Sequence, residues 1–411
     1  MREIIVVGGG AAGMMAAVSA ASVSPEVGVT LLERNEKPGK KLYITGKGRC
    51  NVTNDCTRDE FLREVARNPR FLYSALSAFS PQDMMAFLEK EKCPVTVQRG
   101  RRVFPASEKA SDVTKALVRA MGERGVRLRL NARAASLLTE EGACRGVVLE
   151  GGETLRADAV ILATGGLSAP LTGSTGDGYF FAEATGHQVE KPLPSLTAME
   201  ASVPWPGELQ GLSLRNVTLT LTEKGKTRYS ELGEMLFTHF GYSGPLVLEM
   251  SCHLPEDFSS CALSLNLKPG LSPEQLDARL QREFAAAPRK QLATVLCGLM
   301  PAALAGVFPG LCALDGEKKC ADITREERQT LVRMLQALPL PMARRRPIAE
   351  AIVTRGGVSV KDVNPATMAS RRLPGLYFAG ELLDVDAHTG GYNLQIAFST
   401  GYLAGRSAAE G

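Results

Sequence analysis

The sequence has little of what metal centres and secreted proteins are built from. Its 411 residues include only four histidines, and the nine cysteines are scattered, with no CxxC pair and no Cys/His cluster at metal-binding spacing. No metal site is therefore expected. The first residues lead directly into an apolar strand pattern, so no signal peptide is predicted. The cysteines are then expected to be reduced thiols in a cytoplasm.

The sequence also lacks a large excess of charge of one sign and a convincing membrane-spanning stretch. The net charge of +4 permits an anionic partner but does not require one. The uncharged stretch 292–314 is interrupted by Pro301 and Pro309. This favours two short buried helices, the second beginning at Pro301, over a membrane span. We therefore expect no membrane association, and a chain of this length is expected to form two or three domains.

The amino-terminal residues have the pattern of a dinucleotide-binding turn. Four apolar residues, 4–7, run into Gly-x-Gly-x-x-Gly at Gly8, Gly10 and Gly13, and small helix formers follow. The first glycine permits the turn, the second lets a pyrophosphate approach the backbone, and the third lets the helix pack on the strand. Glu33 ends the next predicted strand, where an acidic residue binds a ribose hydroxyl. The pattern alone leaves NAD and FAD open.

Two further segments are candidates for the same site. Residues 45–54 contain too much glycine and asparagine for a regular element, and a long irregular segment inside a compact domain is usually functional. The apolar strand 159–162 runs into Ala163, Thr164, Gly165 and Gly166. As a buried parallel strand, it should end beside the ligand.

The order of predicted elements indicates an α/β protein whose first domain is divided. Alternating strand patterns fill 191–268, and capping boxes at Ser272 and Thr324 start a helical region. The chain then returns to the first pattern, with a strand that ends in Gly380 and Glu381. We expect a first domain part over 1–190, a β-rich insert over 191–268, a helical insert over 269–345 and a second domain part over 346–411.

Several motifs together carry a resemblance that none carries alone. They are residues 8–13, 46–54, 100–105, 163–166, 173–179, 236–245 and 378–395. As a set they resemble the BaiN/RdsA family of FAD-dependent oxidoreductases, some of which are called aminoacetone oxidase-like. The resemblance implies a split Rossmann-like FAD domain of the glutathione-reductase type, with a β-barrel-like and a helical insert.

The resemblance also implies that FAD is the cofactor. It places the helix start near residues 389–395 at the flavin pyrimidine edge, where the positive helix end would stabilise the anionic reduced ring. The residues expected at the cofactor are Gly8, Gly10, Ala11, Ala12, Gly13, Glu33, Arg34, Lys41, Gly46, Gly48, Arg49, Asn51, Ala134, Ala163, Thr164, Gly165, Gly166, Asp177, Gly380, Glu381, Gly390, Gly391, Tyr392, Asn393, Leu394 and Gln395.

The family's activities imply reduction of a carbon–carbon double bond by hydride from flavin N5. One branch is linked to bile-acid dehydroxylation and another to dihydrouridine formation in 23S ribosomal RNA. Because only one dinucleotide fingerprint is present, NAD(P)H would bind transiently as the donor, or the reductant is a different molecule. Our leading hypothesis is reduction of uridine in ribosomal RNA. The alternatives are a small-molecule reductase or oxidase for a steroid-like or amine substrate, and a flavin-containing RNA-binding factor without turnover.

Reduction of a double bond also needs a proton donor. Cys50 is the first candidate, because the neighbouring Arg49 can tune a thiol pKa; the alternative is that it only packs in the loop. His239 and Tyr392 are the other candidates, although a lone histidine or an aromatic at a helix start is more often structural. His388, beside Thr389, is expected only to line the site.

Three basic segments are the sequence basis for an RNA partner. They are residues 37–41, 99–102 and 344–346, and Arg101 and Arg102 could bind an anionic substrate or an RNA phosphate. The alternative is that all three are solvated surface. The sequence predicts no particular oligomeric state.

Overall fold

A computed structural model describes residues 2–411 of the chain, which divide into two units. The first unit consists of residues up to Ser195 together with residues 347–411, and the second unit is residues 196–346. The first unit is therefore interrupted in the sequence by the second. This arrangement and the parallel sheet described below confirm the split Rossmann-like α/β class.

The strands, in chain order over the described residues, are β1 (Arg2–Val7), β2 (Val27–Leu32), β3 (Thr53–Asn54), β4 (Val95–Gln98), β5 (Arg102–Pro105), β6 (Arg127–Arg129), β7 (Ala134–Glu140), β8 (Ala143–Leu149), β9 (Thr154–Arg156), β10 (Ala159–Leu162), β11 (Val189–Ser195), β12 (Met199–Ala201), β13 (Ser213–Glu223), β14 (Lys226–Thr238), β15 (Gly241–Ser243), β16 (Cys261–Asn266), β17 (Leu338–Pro339), β18 (Met342–Arg345), β19 (Val353–Val358) and β20 (Leu376–Phe378).

The α-helices, in the same order, are α1 (Ala11–Ala21), α2 (Lys40–Ile44), α3 (Arg58–Arg63), α4 (Tyr73–Ala78), α5 (Pro81–Lys90), α6 (Ala110–Glu123), α7 (Asp177–Ala184), α8 (Trp205–Glu208), α9 (Pro245–Cys252), α10 (Pro273–Ala286), α11 (Leu292–Leu296), α12 (Ala302–Leu311), α13 (Arg325–Gln336) and α14 (Tyr392–Glu410).

The first unit is built on a five-stranded parallel sheet in the order β20-β10-β1-β2-β6. Strand β10, which has a parallel neighbour on each side, is buried along its whole length, and this explains its unbroken apolar sequence. Because every pairing is parallel, the carboxyl ends of all five strands lie at one edge. Two smaller antiparallel sheets, β3-β5-β4 and β7-β8-β9, and the β11-β19 pair complete this unit.

Helices α1 and α14 pack together at unusually close range in the first unit. A Cβ atom added to Gly401 would overlap the carbonyl oxygen of Ala12, and one added to Gly405 would overlap that of Ala16. Small residues therefore let the two helix backbones touch. This contact joins the first helix of the unit to a helix that follows the whole second unit in the sequence.

The second unit contains both of the expected inserts. Its seven-stranded sheet has the order β17-β16-β13-β14-β15-β12-β18 and is antiparallel in every pairing. The edge strands β17 and β18 follow the helices in sequence, and side chains of sheet and helices, such as Leu265 and Leu335, belong to one hydrophobic core. The β-rich region 191–268 and the helical region 269–345 are thus parts of one unit, bounded by Leu196 and Arg346.

The helix starts predicted from the capping boxes at Ser272 and Thr324 are confirmed, and Thr57 and Ser80 start α3 and α5 in the same way. Thr57, Ser80, Ser272 and Thr324 each accept a hydrogen bond from the amide three residues later, and the side chain of that residue accepts one from the cap amide. The uncharged stretch 292–314 forms the two short helices α11 and α12, as expected. None of the helices within residues 2–411 combines the length and apolar content needed to cross a membrane.

The close α1–α14 contact predicts a sharp difference between two glycine-to-alanine substitutions. Gly405→Ala should lower the free energy of unfolding by about 2–3 kcal/mol, because the new methyl group meets rigid backbone. Gly122→Ala, in α6, has open space around its new methyl group and should be neutral or stabilising by about 1 kcal/mol. Denaturant unfolding of both variants checks this, and equal effects would contradict it.

Candidate dinucleotide site

The predicted motifs meet at the carboxyl edge of the parallel sheet. The amide of Gly8 donates to Leu32 O at 2.9 Å, that of Ala163 to Val7 O at 2.9 Å, and that of Ala379 to Leu162 O at 3.0 Å. The glycine turn, the residues after β10 and the residues after β20 are therefore neighbours. This is the place where parallel α/β sheets bind their ligands.

The three glycines of the turn have the three roles expected of them. Gly8 has φ +107° and its Cα faces Ala163, whose oxygen would lie 2.5 Å from an added Cβ atom. A Cβ atom on Gly13 would overlap Gly8 O, so Gly13 is what lets α1 lie on the turn. A Cβ atom on Gly10 would meet nothing within 4 Å. The open space above Gly10 is where a pyrophosphate would approach the backbone.

Helices α1 and α14 both have amino termini without a side-chain cap. Helix α1 begins after Gly10 and α14 after Gly391, and neither helix has a side-chain cap or an acidic residue in its first turn. The first amides, including those of Ala11, Ala12 and Tyr392, thus have no acceptor within their helices. Such ends attract anionic ligand groups.

Glu33 is held in place by the turn itself. Its Oε2 accepts from the Gly9 amide at 2.9 Å, and its Oε1 accepts from the amide and the side chain of Asn35 at 2.8 and 2.6 Å. The carboxylate is buried beside the glycine turn. It therefore lies at the end of β2, where the sequence pattern places a ribose-binding acid.

A polar network joins four segments beside this edge. Lys41 Nζ lies 2.6 Å from Glu381 Oε2 and 2.6 Å from Ser168 Oγ. Glu381 Oε1 also accepts from Ser168 Oγ at 2.7 Å and from the Thr354 amide at 2.9 Å. Burial acts to raise the pKa of the Glu381 carboxyl, but Lys41 and these hydrogen bonds outweigh it, and the pKa lies below its usual value. Gly166 sits against the network, where a side chain would overlap Thr354.

Arg34 and Asp177 belong to a second ion-pair network. Arg133 donates to both oxygens of Asp177, at 2.9 and 3.0 Å, and Arg34 lies 3.4 Å from it. Burial raises the pKa of Asp177, and the hydrogen bonds from Arg133 and Thr175 more than reverse that effect. Asp177 is therefore an ionised carboxylate committed to arginine partners. Ala134, also predicted at the cofactor, is buried in β7 and paired with Leu149.

The expectation that Arg49 tunes the Cys50 thiol is not met. The Arg49 guanidinium lies 4.4 Å from the centre of the Phe104 ring and pairs with Glu108 at 3.1 Å. Cys50 itself has 0% of its surface exposed, and burial raises the pKa of its thiol to about 12. A ligand at the sheet edge could not contact this thiol unless the loop moved. Cys50 is thus a buried packing residue, which was the alternative interpretation.

The remaining residues of the Cys50 loop shape its path. Gly46 and Gly48 have φ of +55° and +86°, in the left-handed region that favours glycine. Both are exposed. Asn51 is half-buried, and its Oδ1 has no partner among the described residues.

The residues predicted at the cofactor near the start of α14 differ in backbone conformation and in hydrogen-bond partners. Gly390 and Gly391 have φ of +130° and +101°. Asn393 holds the preceding loop, accepting from the Ala387 amide at 2.9 Å and donating to Ala387 O at 2.7 Å. Gln395 is fully buried and donates to Phe79 O, while its Oε1 has no hydrogen-bond partner among the described residues; its role at the cofactor stays a prediction.

The other two proton-donor candidates lie in different units. The half-buried Tyr392 ring packs edge-on against Phe61, with centroids 5.2 Å apart. His388, close by in sequence, has Nδ1 at 3.0 Å from Glu64. His239 is an exposed residue of the second unit, and its ring contacts Phe240. Both catalytic roles remain predictions.

Sequence reasoning missed Ser168, Thr354 and Arg133. Each acts through a partner distant in sequence, so no local pattern marks it. Ser168 and Thr354 both hydrogen-bond to Glu381, although the whole second unit separates them in the sequence. A fourth residue, Asn54, lies inside the predicted loop motif but received no role.

The family profile described as "HI0933-like protein Rossmann domain" matches residues 2–407. The chain belongs to this family. Among its relatives, 3-dehydro-bile acid delta(4,6)-reductase of Clostridium scindens is 30% identical over all of both chains. Ribosomal RNA dihydrouridine synthase of Escherichia coli is also 30% identical, over 97% of this chain and 96% of the relative.

Solved structures share the fold of this HI0933-like protein at lower identity. The 3-ketosteroid delta1-dehydrogenase of Sterolibacterium denitrificans, in complex with 1,4-androstadiene-3,17-dione, aligns with a TM-score of 0.54 and 17% identity over the whole of both chains. At this identity the likeness concerns the fold alone.

The open space at Gly10 predicts a variant that separates ligand binding from folding. Gly10→Val should fold, because its backbone is extended and a Cβ atom meets no neighbour. Its side chain would fill the space that a pyrophosphate needs, so dinucleotide binding should fall at least about tenfold, the effect of some 1.4 kcal/mol. Calorimetric titration with FAD and a thermal melt of the apoprotein check this. A Gly10→Val protein that binds FAD like the wild type would contradict it.

The Lys41–Glu381 pair predicts a pH-dependent loss of stability. Lys41→Met should cost about 3 kcal/mol near pH 7, because it leaves a partly buried carboxylate without its cation. Since the wild-type pKa is lowered, the pair's contribution is present above pH about 4.3 and lost as the pH falls further. In the variant the Glu381 pKa loses the lowering by Lys41 and lies higher than in the wild type, so the gap in stability should widen from pH 4 to 7. Lys37→Met, which removes only an ammonium over Tyr43, is the control for urea unfolding.

Proposed function

We propose that this protein is an FAD-dependent oxidoreductase that reduces a carbon–carbon double bond, with uridine in ribosomal RNA as substrate. The observation that carries the cofactor assignment is the open space above Gly10 at the uncapped start of α1. The α1 amides would hold the pyrophosphate and Glu33 a ribose. When bound, FAD supplies the hydride chemistry.

The choice of double-bond reduction rests on the two named relatives. One is a delta(4,6)-reductase and the other a dihydrouridine synthase, and both products differ from their substrates by added hydrogen across a double bond. NAD(P)H is the donor we favour. It would bind transiently, because the second unit's described sheet is antiparallel and offers no second Rossmann turn.

Proton delivery is assigned to Tyr392, with His239 as the second candidate. Tyr392 is the first residue of α14 and is half-buried, so it lies at the start of that helix and is partly exposed. Its position next to Gly391 links it to the site more directly than the buried Cys50 thiol.

The RNA substrate is favoured by one of the three basic segments. In the segment 37–41, Lys40 pairs with Glu36 and Lys41 with Glu381. In the segment 344–346, Arg344 and Arg346 both pair with Glu200.

The turn 99–102 differs from these two segments. Arg99 and Arg102 are exposed, and neither pairs with a carboxylate among the described residues. Arg101 pairs with Glu60 at 2.8 Å. The free cations of this turn suit RNA phosphates. A ribosomal substrate would place the protein in the cytoplasm.

A small apolar enone is the second candidate, and exposed apolar residues favour it. Leu171 is 95% exposed and lies three residues after Ser168 in the sequence. Ile44 is 57% exposed and lies one helical turn from Lys41. Leu171 and Ile44 thus each lie three residues after a member of the Glu381 network. Exposed apolar side chains suit a steroid-like substrate of the kind named for the Clostridium relative.

The test supplies purified protein, FAD and NAD(P)H with either transcribed 23S ribosomal RNA or a 4-ene-3-ketosteroid. We expect a gain of two mass units at a uridine, measured by mass spectrometry of RNA fragments. Arg99→Glu/Arg102→Glu should reduce that modification at least about tenfold at physiological salt. The matched control Lys224→Glu/Lys226→Glu reverses two exposed cations in the β13–β14 turn and should have little effect.

The two substrates give opposite outcomes. Steroid reduction without RNA modification would replace the leading proposal with the second candidate. Bound FAD without either reaction would favour a non-catalytic RNA-binding role, provided that the protein retains affinity for the RNA.

A further inference from the structure

Asn54 ends the Cys50 loop motif and lies inside the first unit. It is only 2% exposed, and it forms β3 together with Thr53. Strand β3 pairs with β5 through Thr53 opposite Val103 and Asn54 opposite Arg102. Asn54 is therefore attached to the strand that carries the basic turn 99–102.

The Asn54 side chain bridges two backbone segments. Its Nδ2 donates to Gly100 O at 3.0 Å and to Gly390 O at 3.2 Å, bonds that span 46 and 336 residues of sequence. An amide NH₂ group has the two donors that this requires. The flipped amide would turn its oxygen towards two carbonyl oxygens, so the hydrogen-bond pattern itself selects this orientation.

The backbone next to Asn54 also lies close to Gly391, the residue after Gly390. A Cβ atom on Gly391 would overlap the Thr53 carbonyl, and Gly391 has φ +101°. Gly390 has φ +130°, and an added Cβ atom would lie 2.7 Å from the Tyr392 ring. Strand β3 thus supports the turn from which α14 starts, and only glycines fit there.

We propose that Asn54 is a positioning residue that fixes the uncapped start of α14 relative to the basic turn. It does so by holding Gly390 O and Gly100 O on one amide group. The inference rests on the proposed function in one respect, namely that FAD is the ligand whose charge the α14 terminus meets. A fixed positive helix end favours the reduced, more negative state of such a ligand.

The experiment compares Asn54→Asp with Asn131→Asp. The Asn54→Asp substitution keeps the shape of the side chain, but it replaces the NH₂ group that donates both hydrogen bonds by an oxygen that faces the carbonyl oxygens of Gly100 and Gly390. Asn131 is exposed, so its variant makes the same chemical change without these bonds. For Asn54→Asp we expect FAD to bind about tenfold more weakly and its midpoint potential to become more negative. Asn131→Asp should leave both values unchanged.

Asn54→Ala is the second variant, in case the aspartate variant does not fold. It removes both donors without adding charge and should shift affinity and potential in the same directions by smaller amounts. A variant that only melts at a lower temperature, with unchanged FAD affinity and potential, would overturn the positioning role. Wild-type protein that binds no FAD would overturn the proposed function as well, so the two failures are distinguishable.

Discussion

The ion pair between Lys41 and Glu381 is the contact on which the candidate site depends. The two residues are 340 positions apart, and their 2.6 Å contact joins α2 to the residues that follow β20, beyond the second unit in the sequence. Ser168 and the Thr354 amide donate the other hydrogen bonds to the Glu381 carboxylate, so four segments of the chain meet at this one side chain. A buried ion pair of this kind contributes less to net stability than to the choice of one arrangement, since each partner is costly without the other.

Local sequence determined the parts of the site that depend on local geometry. The glycine spacing predicted the turn because the requirement for φ above zero at Gly8 and for a missing Cβ at Gly13 acts within a few residues. The capping boxes predicted helix starts because the bonded atoms lie only three residues apart. Unbroken apolar strands predicted the parallel sheet for a different reason, since a strand buried on both faces needs apolar residues throughout.

Roles that depend on distant partners were not predictable in this way. The basic segments 37–41 and 344–346 look like free cations in the sequence, but Glu381 and Glu200 neutralise much of their charge in the fold. Cys50 follows an arginine, yet the chain turns its thiol into the core and sends Arg49 to Phe104. Asn54 looks like any other asparagine in the sequence, because its role depends on the position of β3, which places its side-chain amide between two carbonyl groups. Sequence shows which groups are present, and tertiary contacts decide which of them remain available.

The packing of α1 against α14 has a consequence for how the protein is made. Since α14 is translated after all of the second unit, α1 leaves the ribosome long before the helix that covers it. During that interval its small apolar residues, Ala12 and Ala16 among them, lack their final cover. The second unit, whose residues are contiguous, can fold first as a unit of its own. The first unit therefore cannot complete its fold until α14 has been synthesised. Until then the apolar residues of α1 are exposed and available to chaperones.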